Sequence, residues 1–153
     1  MTYTIREMQS IDFVRVKQID RRTQEQYLGN KWNRMNEDER KKYMVSEMPG
    51  FENMAQGGYC FVALEKDKVV GFLFSYSTLP FENKIIVKYI AVDPALHGKQ
   101  IGMLLYRKLI EKAQINNLQE INALINLDNS KSLRLHEKMG FNLKDRTQAV
   151  LKL

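Results

Sequence analysis

The chain has 153 residues, 44% of them hydrophobic, with 24 Lys and Arg against 18 Asp and Glu for a formal net charge of +6. That is one domain's worth of chain with a sizeable core, read as a single domain over residues 1–153 and too apolar for a disordered segment. One Cys excludes an internal disulfide, and two scattered His beside it make no metal-ligand set; the opening M-T-Y-T-I-R-E-M has no signal-like apolar run and no segment reaches membrane-spanning length, so a soluble cytoplasmic protein without metal is expected.

Thr2 to Met8 alternates as a first strand, and Ser10 then caps a helix carrying Phe13, Val16 and Ile19 on one side. Leu28-Gly29-Asn30-Lys31-Trp32 interrupts it. Asn36 followed by Glu39 is an N-cap with an acid at the capping-box position, starting a helix that ends before Met48-Pro49-Gly50. Gly57-Gly58 opens a hairpin of Tyr59 to Leu64, a turn at Glu65-Lys66-Asp67-Lys68, and Val69 to Tyr76. Cys60, within its first strand, reads as a core thiol.

Ile85 to Val92 is almost wholly apolar, which suits a strand covered on both faces, and Asp93-Pro94 ends it. Gly98 and Gly102 follow, and then Leu105, Leu109 and Ala113 share a helical face with Tyr106, so a helix begins near Lys99 to Ile101. Its first amides have no intrahelical partner and lie at the positive end of the helix dipole. With Lys99 they form a cradle for a pyrophosphate. G-x-G-x-x-G and G-x-x-x-x-G-K-[ST] are both absent, so neither the dinucleotide fingerprint nor the nucleotide-triphosphate loop applies. A tight turn without a ligand is the competing reading.

Leu118 to Asn126 reads as another strand. Residues 128 to 141, D-N-S-K-S-L-R-L-H-E-K-M-G-F, follow with Asn129 or Ser130 as helix cap and Gly140 as its end. Ser132, Leu135, His136 and Met139 fall on one face, where a histidine is most simply a hydrogen-bonded core residue.

Together these two segments resemble the GNAT superfamily of N-acetyltransferases over almost the whole chain. Val92-Asp93-Pro94 leading into His97-Gly98-Lys99-Gln100-Ile101-Gly102 is similar to that family's strand end and R/Q-x-x-G-x-G/A loop. Asn129, Ser132, Leu135, His136, Gly140 and Phe141 match its N-x-x-A-x-x-L-Y-x-x-x-G-F, and Gly71 matches a glycine common on a family strand. The resemblance implies an α/β (α+β) fold: a mixed, mostly antiparallel sheet of six to seven strands flanked by about four helices, with Phe141 to Leu153 supplying the closing strands. Two central strands splay to admit the pantetheine arm of acetyl-CoA. It implies transfer of acetyl from acetyl-CoA, as cosubstrate, directly to a primary amine of an unidentified small-molecule or peptide acceptor, by a monomer or homodimer. The implied cofactor-binding residues are Ile90, Ala91, Val92, His97, Gly98, Lys99, Gln100, Ile101, Gly102, Met103, Asn129, Ser132 and His136.

Three departures carry chemistry. His97 replaces Arg or Gln, and Gln100 replaces Gly, placing a Cβ where the backbone would approach the cofactor. His136 replaces the tyrosine that, in the family, lies near the CoA sulfur. An imidazole with a pKa of about 6.5 is mostly neutral at pH 7, a weaker acid than imidazolium, so His136 either hydrogen-bonds the sulfur or has lost the acid role. Tyr89 is the candidate catalytic base acting through water, with Glu82 a second choice, and each has a structural alternative. Trp32, Glu47 and Glu52 are candidates for the acceptor wall. A catalytically weak CoA-binding sensor or regulatory module is the alternative function. Nucleic-acid binding is not expected, because the basic residues are interleaved with acids and no nucleic-acid motif accompanies them.

Overall fold

A computed structural model of the protein describes residues 2–153. Strand β1 (Thr4–Glu7) leads through a 3-10 turn at Ser10–Asp12 into helix α1 (Phe13–Leu28). Asp12, not Ser10, directly precedes that helix. Its carboxylate accepts from the Gln9 amide at 2.8 Å and from Arg6, which fixes the turn through which the chain enters α1. Gly29, at φ +56°, ends α1.

The short helices α2 (Asn30–Asn33), α3 (Glu37–Lys41) and α4 (Phe51–Ala55) follow, with a 3-10 turn at Val45–Glu47. Asn36 caps α3 by accepting from the Glu39 amide at 2.9 Å, as the spacing predicts. The helix stops at Lys41, well short of Met48. It buries no residue, and a helix without a packed face has little to extend it.

Strands β2 (Phe61–Glu65) and β3 (Lys68–Ser77) form the hairpin, with Lys66 and Asp67 both at positive φ as a two-residue turn requires. Strand β4 (Lys84–Val92), a 3-10 turn at Pro94–Leu96, helix α5 (Ile101–Ile115), strand β5 (Glu120–Ala123) and helix α6 (Ser130–Lys138) complete the order.

The sheet runs β1-β2-β3-β4-β5, antiparallel except for the parallel pair β4–β5. It is mixed and mostly antiparallel as expected, with five strands among the described residues rather than six or seven, and six α-helices rather than about four. The closing strands are the difference: residues 142–153 contain no strand. Alternation reports a segment's capacity to pair, whereas a ladder needs a second edge in register. Residues 142–153 hydrogen-bond to no described residue of the chain.

The core lies on both faces of the sheet. α1 and α4 bring Phe13, Val16, Ile19 and Phe51 against Phe72 and Phe74, and Phe51 stacks on Phe74 with centroids 5.0 Å apart. α5 brings Ile101, Leu105, Tyr106 and Leu109 against Leu73, Ile85 and Val87. Burial from both sides explains the continuous apolar runs of β3 and β4. Each fully buried Leu or Ile contributes about 1.5–3 kcal/mol relative to exposure, so packing holds α5 in place more than helix propensity does.

Candidate cofactor and acceptor site

The site begins with an irregularity in β4. Ser75 pairs with Val87 and Phe74 with Tyr89, so Lys88 is an extra residue with no partner on β3. On the other side, β4 and β5 pair from Lys84 with Glu120 only as far as Val87 with Ala123. Beyond the bulge the two strands part, and the edge of β4 from Lys88 to Val92 faces the gap. The Asp93 amide donates to the Val70 carbonyl at 2.8 Å, so strand alternation turns the amides and carbonyls of Ile90 and Val92 away from β3, toward that gap. Ala91 is spent on the sheet: its side chain is buried on the α1 face and its carbonyl faces Gly71 of β3.

The loop after β4 is held from behind. Asp93 is buried, and one of its oxygens caps the 3-10 turn by accepting from the Ala95 amide at 3.1 Å. The other accepts from Arg15 at 2.8 Å and Arg22 at 3.0 Å, both on α1. Burial alone would raise its carboxyl; the Ala95 amide and the two guanidiniums outweigh that and hold it below the ordinary value. Gly98 lies at φ +85° and Gln100 at φ +61°, directly before α5. The conformation at 100 is the one a glycine adopts without strain, which accounts for the family's glycine there. Among the described residues, the amides of Gly98, Gln100, Ile101, Gly102 and Met103 have no partner. Gly102 serves packing, since a Cβ there would lie 3.2 Å from Leu135 of α6.

Helix α6 faces this loop. Asn129 caps it, its side-chain oxygen accepting from the Ser132 amide at 3.2 Å, which leaves its NH2 free. Lys131, in the first turn, donates to His97 Nδ1 at 3.1 Å, tying the loop to α6. Burial and the neighbouring Lys131 charge lower the His97 pKa, so its ring is neutral at pH 7. The cations of the mouth are therefore Lys99 and Lys131.

His136 is placed inside α6's packing, 1% exposed. Its Nδ1–H donates to the Ser132 carbonyl at 2.6 Å, which leaves Nε2 to accept from the Tyr106 hydroxyl 2.5 Å away. Both ring nitrogens are engaged within the protein. Tyr106 and Phe141 pack edge-on against the ring at centroid distances of 5.1 and 5.0 Å. Burial lowers the His136 pKa against the opposing hydrogen bond to Ser132, so the neutral form prevails.

The opposite face of β4 carries Tyr89, whose ring tilts against Phe72 and whose oxygen accepts from Gln24 of α1 at 2.5 Å. Burial, and next the charge of Asp20, push its pKa upward, so it stays a phenol at neutral pH. Asp20, one turn before Gln24, accepts from the amide and hydroxyl of Ser46 through one oxygen and leaves the other unpartnered. Burial raises its pKa to about 6. Trp32 is buried between Arg21 and Arg40 rather than open to a ligand. Glu82 is exposed and paired with Lys84 at 2.7 Å, before the start of β4. Glu47 and Glu52 are exposed beside a cavity of about 330 Å³ that Lys17 also lines. Cys60 is buried, its thiol pushed up to about 12, which confirms a core thiol.

Sequence reasoning missed Arg15, Arg22, Gln24 and Tyr106. Their partners are 78, 71, 65 and 30 residues away, beyond any local spacing. Another long-range link, from the Tyr27 hydroxyl to Asp128 at 2.6 Å, joins α1 to the loop before Asn129.

Three comparisons bear on this geometry. The PaiA N-acetyltransferase of Thermoplasma acidophilum, solved in complex with coenzyme A, shares the fold with a TM-score of 0.81 at 15% identity, over 96% of this chain and 94% of that one. The L-2,4-diaminobutyric acid acetyltransferase of Shouchella clausii is 28% identical over 81 residues, 53% of this chain and 46% of that protein. The spore coat polysaccharide biosynthesis protein SpsD of Bacillus subtilis is 32% identical over 80 residues, 52% of this chain and 27% of its own length. The matched stretches thus span less than half of these two curated relatives. Among the described residues no helix is long and apolar enough to cross a membrane, and no group of His, Cys, Asp and Glu is arranged to hold a metal ion. The profile of the acetyltransferase (GNAT) family matches residues 16–141, and the chain belongs to that family.

Proposed function

We propose that this protein is a cytoplasmic N-acetyltransferase, acting as one domain over residues 1–153, that moves the acetyl group of acetyl-CoA directly to a primary amine. One observation carries the reading: the gap between β4 and β5 opens onto a run of unpartnered amides at the start of α5, so open strand edge and anion cradle are continuous.

In this reading the amides of Gly98 and of Gln100 to Met103, with Lys99, hold the pyrophosphate, and His97 lines the loop. The open edges of Ile90 and Val92, beside Ala91, hold the pantetheine on one side, and the free NH2 of Asn129 with Ser132 holds it on the other. Bound acetyl-CoA supplies an activated thioester. The amides of Ile90 and Val92 then polarise its carbonyl, and fixing amine and thioester together supplies most of the acceleration.

Tyr89, on the acceptor side and kept as a phenol, orients the amine while water removes its proton. His136 acts by position: its bonds to Ser132 and Tyr106 fix α6 against α5. A CoA thiolate, comparable to a cysteine thiolate with a pKa of about 8.5, leaves without an acid.

Calorimetric titration with acetyl-CoA and CoA, followed by thiol release across a panel of small amines, aminoglycosides and peptide N-termini, tests the reading. Binding with turnover is the expected outcome. Binding without turnover on any amine would favour a CoA-binding sensor, which the engaged nitrogens of His136 and the side chain at Gln100 also support.

A further inference from the structure

Among the described residues, one buried side-chain oxygen has no hydrogen-bond partner, and it belongs to a carboxylate: Oδ1 of Asp20, on α1. The residue is 0% exposed, and no cation pairs with it. A buried charge in that state is costly, and a group kept so against the interest of the fold calls for another reason. Structure asks only for the other oxygen. Oδ2 accepts from the amide and the hydroxyl of Ser46 at 2.9 and 2.6 Å, bonds that a neutral amide oxygen could accept equally well.

Oδ1 lies on the side of β4 assigned to the amine. Asp20 is one turn before Gln24, whose side chain donates to the Tyr89 oxygen at 2.5 Å, and the Asp20 charge itself reaches Tyr89. No hydrogen bond joins Asp20 to Tyr89, and the Tyr89 hydroxyl donates to no described residue, so an unused acceptor and an unused donor stand near each other. Ser46 lines the cavity of about 330 Å³ with Lys17, Glu47 and Glu52, which puts Oδ2 one hydrogen bond from a route to solvent. The titratable groups facing Asp20 are Tyr89 from β4 and Glu47 from the Val45–Glu47 turn; β3 and α4 bring Phe72, Phe74 and Phe51 to this side of the sheet.

We infer that Asp20 is the final acceptor of the amine's proton: the water that deprotonates the amine beside Tyr89 passes the proton to Asp20 Oδ1. This assignment rests on the acetyltransferase reading. The step balances. As the nitrogen lone pair forms the N–C bond, the N–H proton moves through the water to Oδ1, leaving a neutral carboxylic acid and an unchanged phenol. The C–S electron pair departs on sulfur, which takes a proton from solvent, while Asp20 returns its proton to solvent past Ser46. Burial raises the Asp20 carboxyl to about 6, so it is ionised at neutral pH and still basic enough for the task.

Rate profiles between about pH 5 and 9, with the primary amine that the panel turns over fastest, test the assignment. Besides the ionisation of an alkyl amine near about 10, the wild type should lose rate as pH falls through about 6. Asp20→Asn, which keeps an acceptor for Ser46, should lose that lower ionisation and about 100-fold in kcat, with CoA affinity unchanged. Ser46→Ala removes bonding that favours the carboxylate and should move the lower ionisation upward; Glu47→Gln removes a neighbouring negative charge and should move it downward. A merely structural Asp20 would give neither shift. Wild-type rate and profile in a folded Asp20→Asn protein would overturn the assignment alone, as would a lower ionisation that stays in place in both neighbouring variants. A wild type that binds acetyl-CoA and acetylates no amine of the panel would overturn the transferase reading and this assignment with it.

Discussion

The two faces of β4 are built on opposite plans. On the α5 and α6 face, the candidate cofactor site is made mostly of backbone left open: the amides from Gly98 to Met103 and the strand edge at Ile90 and Val92. On the α1 face, the candidate acceptor side is made of side chains that already have partners: Tyr89 with Gln24, Asp20 with Ser46, Tyr27 with Asp128, and Trp32 beneath two arginines. Backbone amides recognise a phosphate whatever side chains surround them, so this half can be shared across a family of many acceptors. A ligand that reaches the paired side chains of the acceptor half exchanges their hydrogen bonds for its own, and that exchange is where selectivity can be set.

The largest effect expected comes from the residue that joins the halves. Asp93→Ala removes the cap of the 3-10 turn and the common partner of Arg15 and Arg22, at a cost of about 3 kcal/mol in urea denaturation. Its affinity for CoA should fall as well, because the loop is then unmoored from α1. Equal CoA affinity in a folded Asp93→Ala protein would show that the two halves are independent.

Next is His136→Phe, which leaves the buried Tyr106 hydroxyl without its acceptor, removes the side-chain bond to the Ser132 carbonyl and should cost about 2 kcal/mol. A Tyr106→Phe, His136→Phe double variant should lose less than the two single costs added together, because the bond is shared. Turnover per folded molecule should change little across the pH range; a selective loss in kcat would return an acid role to His136.

The pH dependence follows from the same group. Folding lowers the His136 pKa, so below about 6.5 the unfolded chain binds the proton more readily and stability falls with falling pH. Asp20, raised to about 6, works in the opposite sense. Its burial cost is fully present above pH 6 and declines toward the ordinary carboxylate range. Stability curves of Asp20→Asn and His136→Phe against wild type between pH 4 and 8 should therefore diverge in opposite directions.

The smallest effect is a gain. Gln100→Gly relieves a left-handed residue and should raise stability by up to about 1 kcal/mol, less what the unfolded chain gains in freedom. It should also tighten CoA binding if the Cβ crowds the cradle. Unchanged affinity would place that Cβ outside the contact.

Much of this was written locally in the chain. The two motifs, the caps at Asn36 and Asn129, the hairpin turn at Lys66-Asp67 and the buried stripe of α5 rest on neighbours within one turn or one hairpin, whose physics is carried by spacing. At position 100 the departure from the family's glycine was legible, while the positive φ that Gln100 adopts was shown by the structure. Tertiary structure alone decided the rest, because it depends on contacts between residues 30 to 78 positions apart. It set Asp93 between two arginines of α1, turned Tyr89 toward Gln24, and gave His136 Nε2 its partner in Tyr106. It also left residues 142–153 without a strand, since periodicity shows that a segment can form one, and only the assembled sheet shows whether it does.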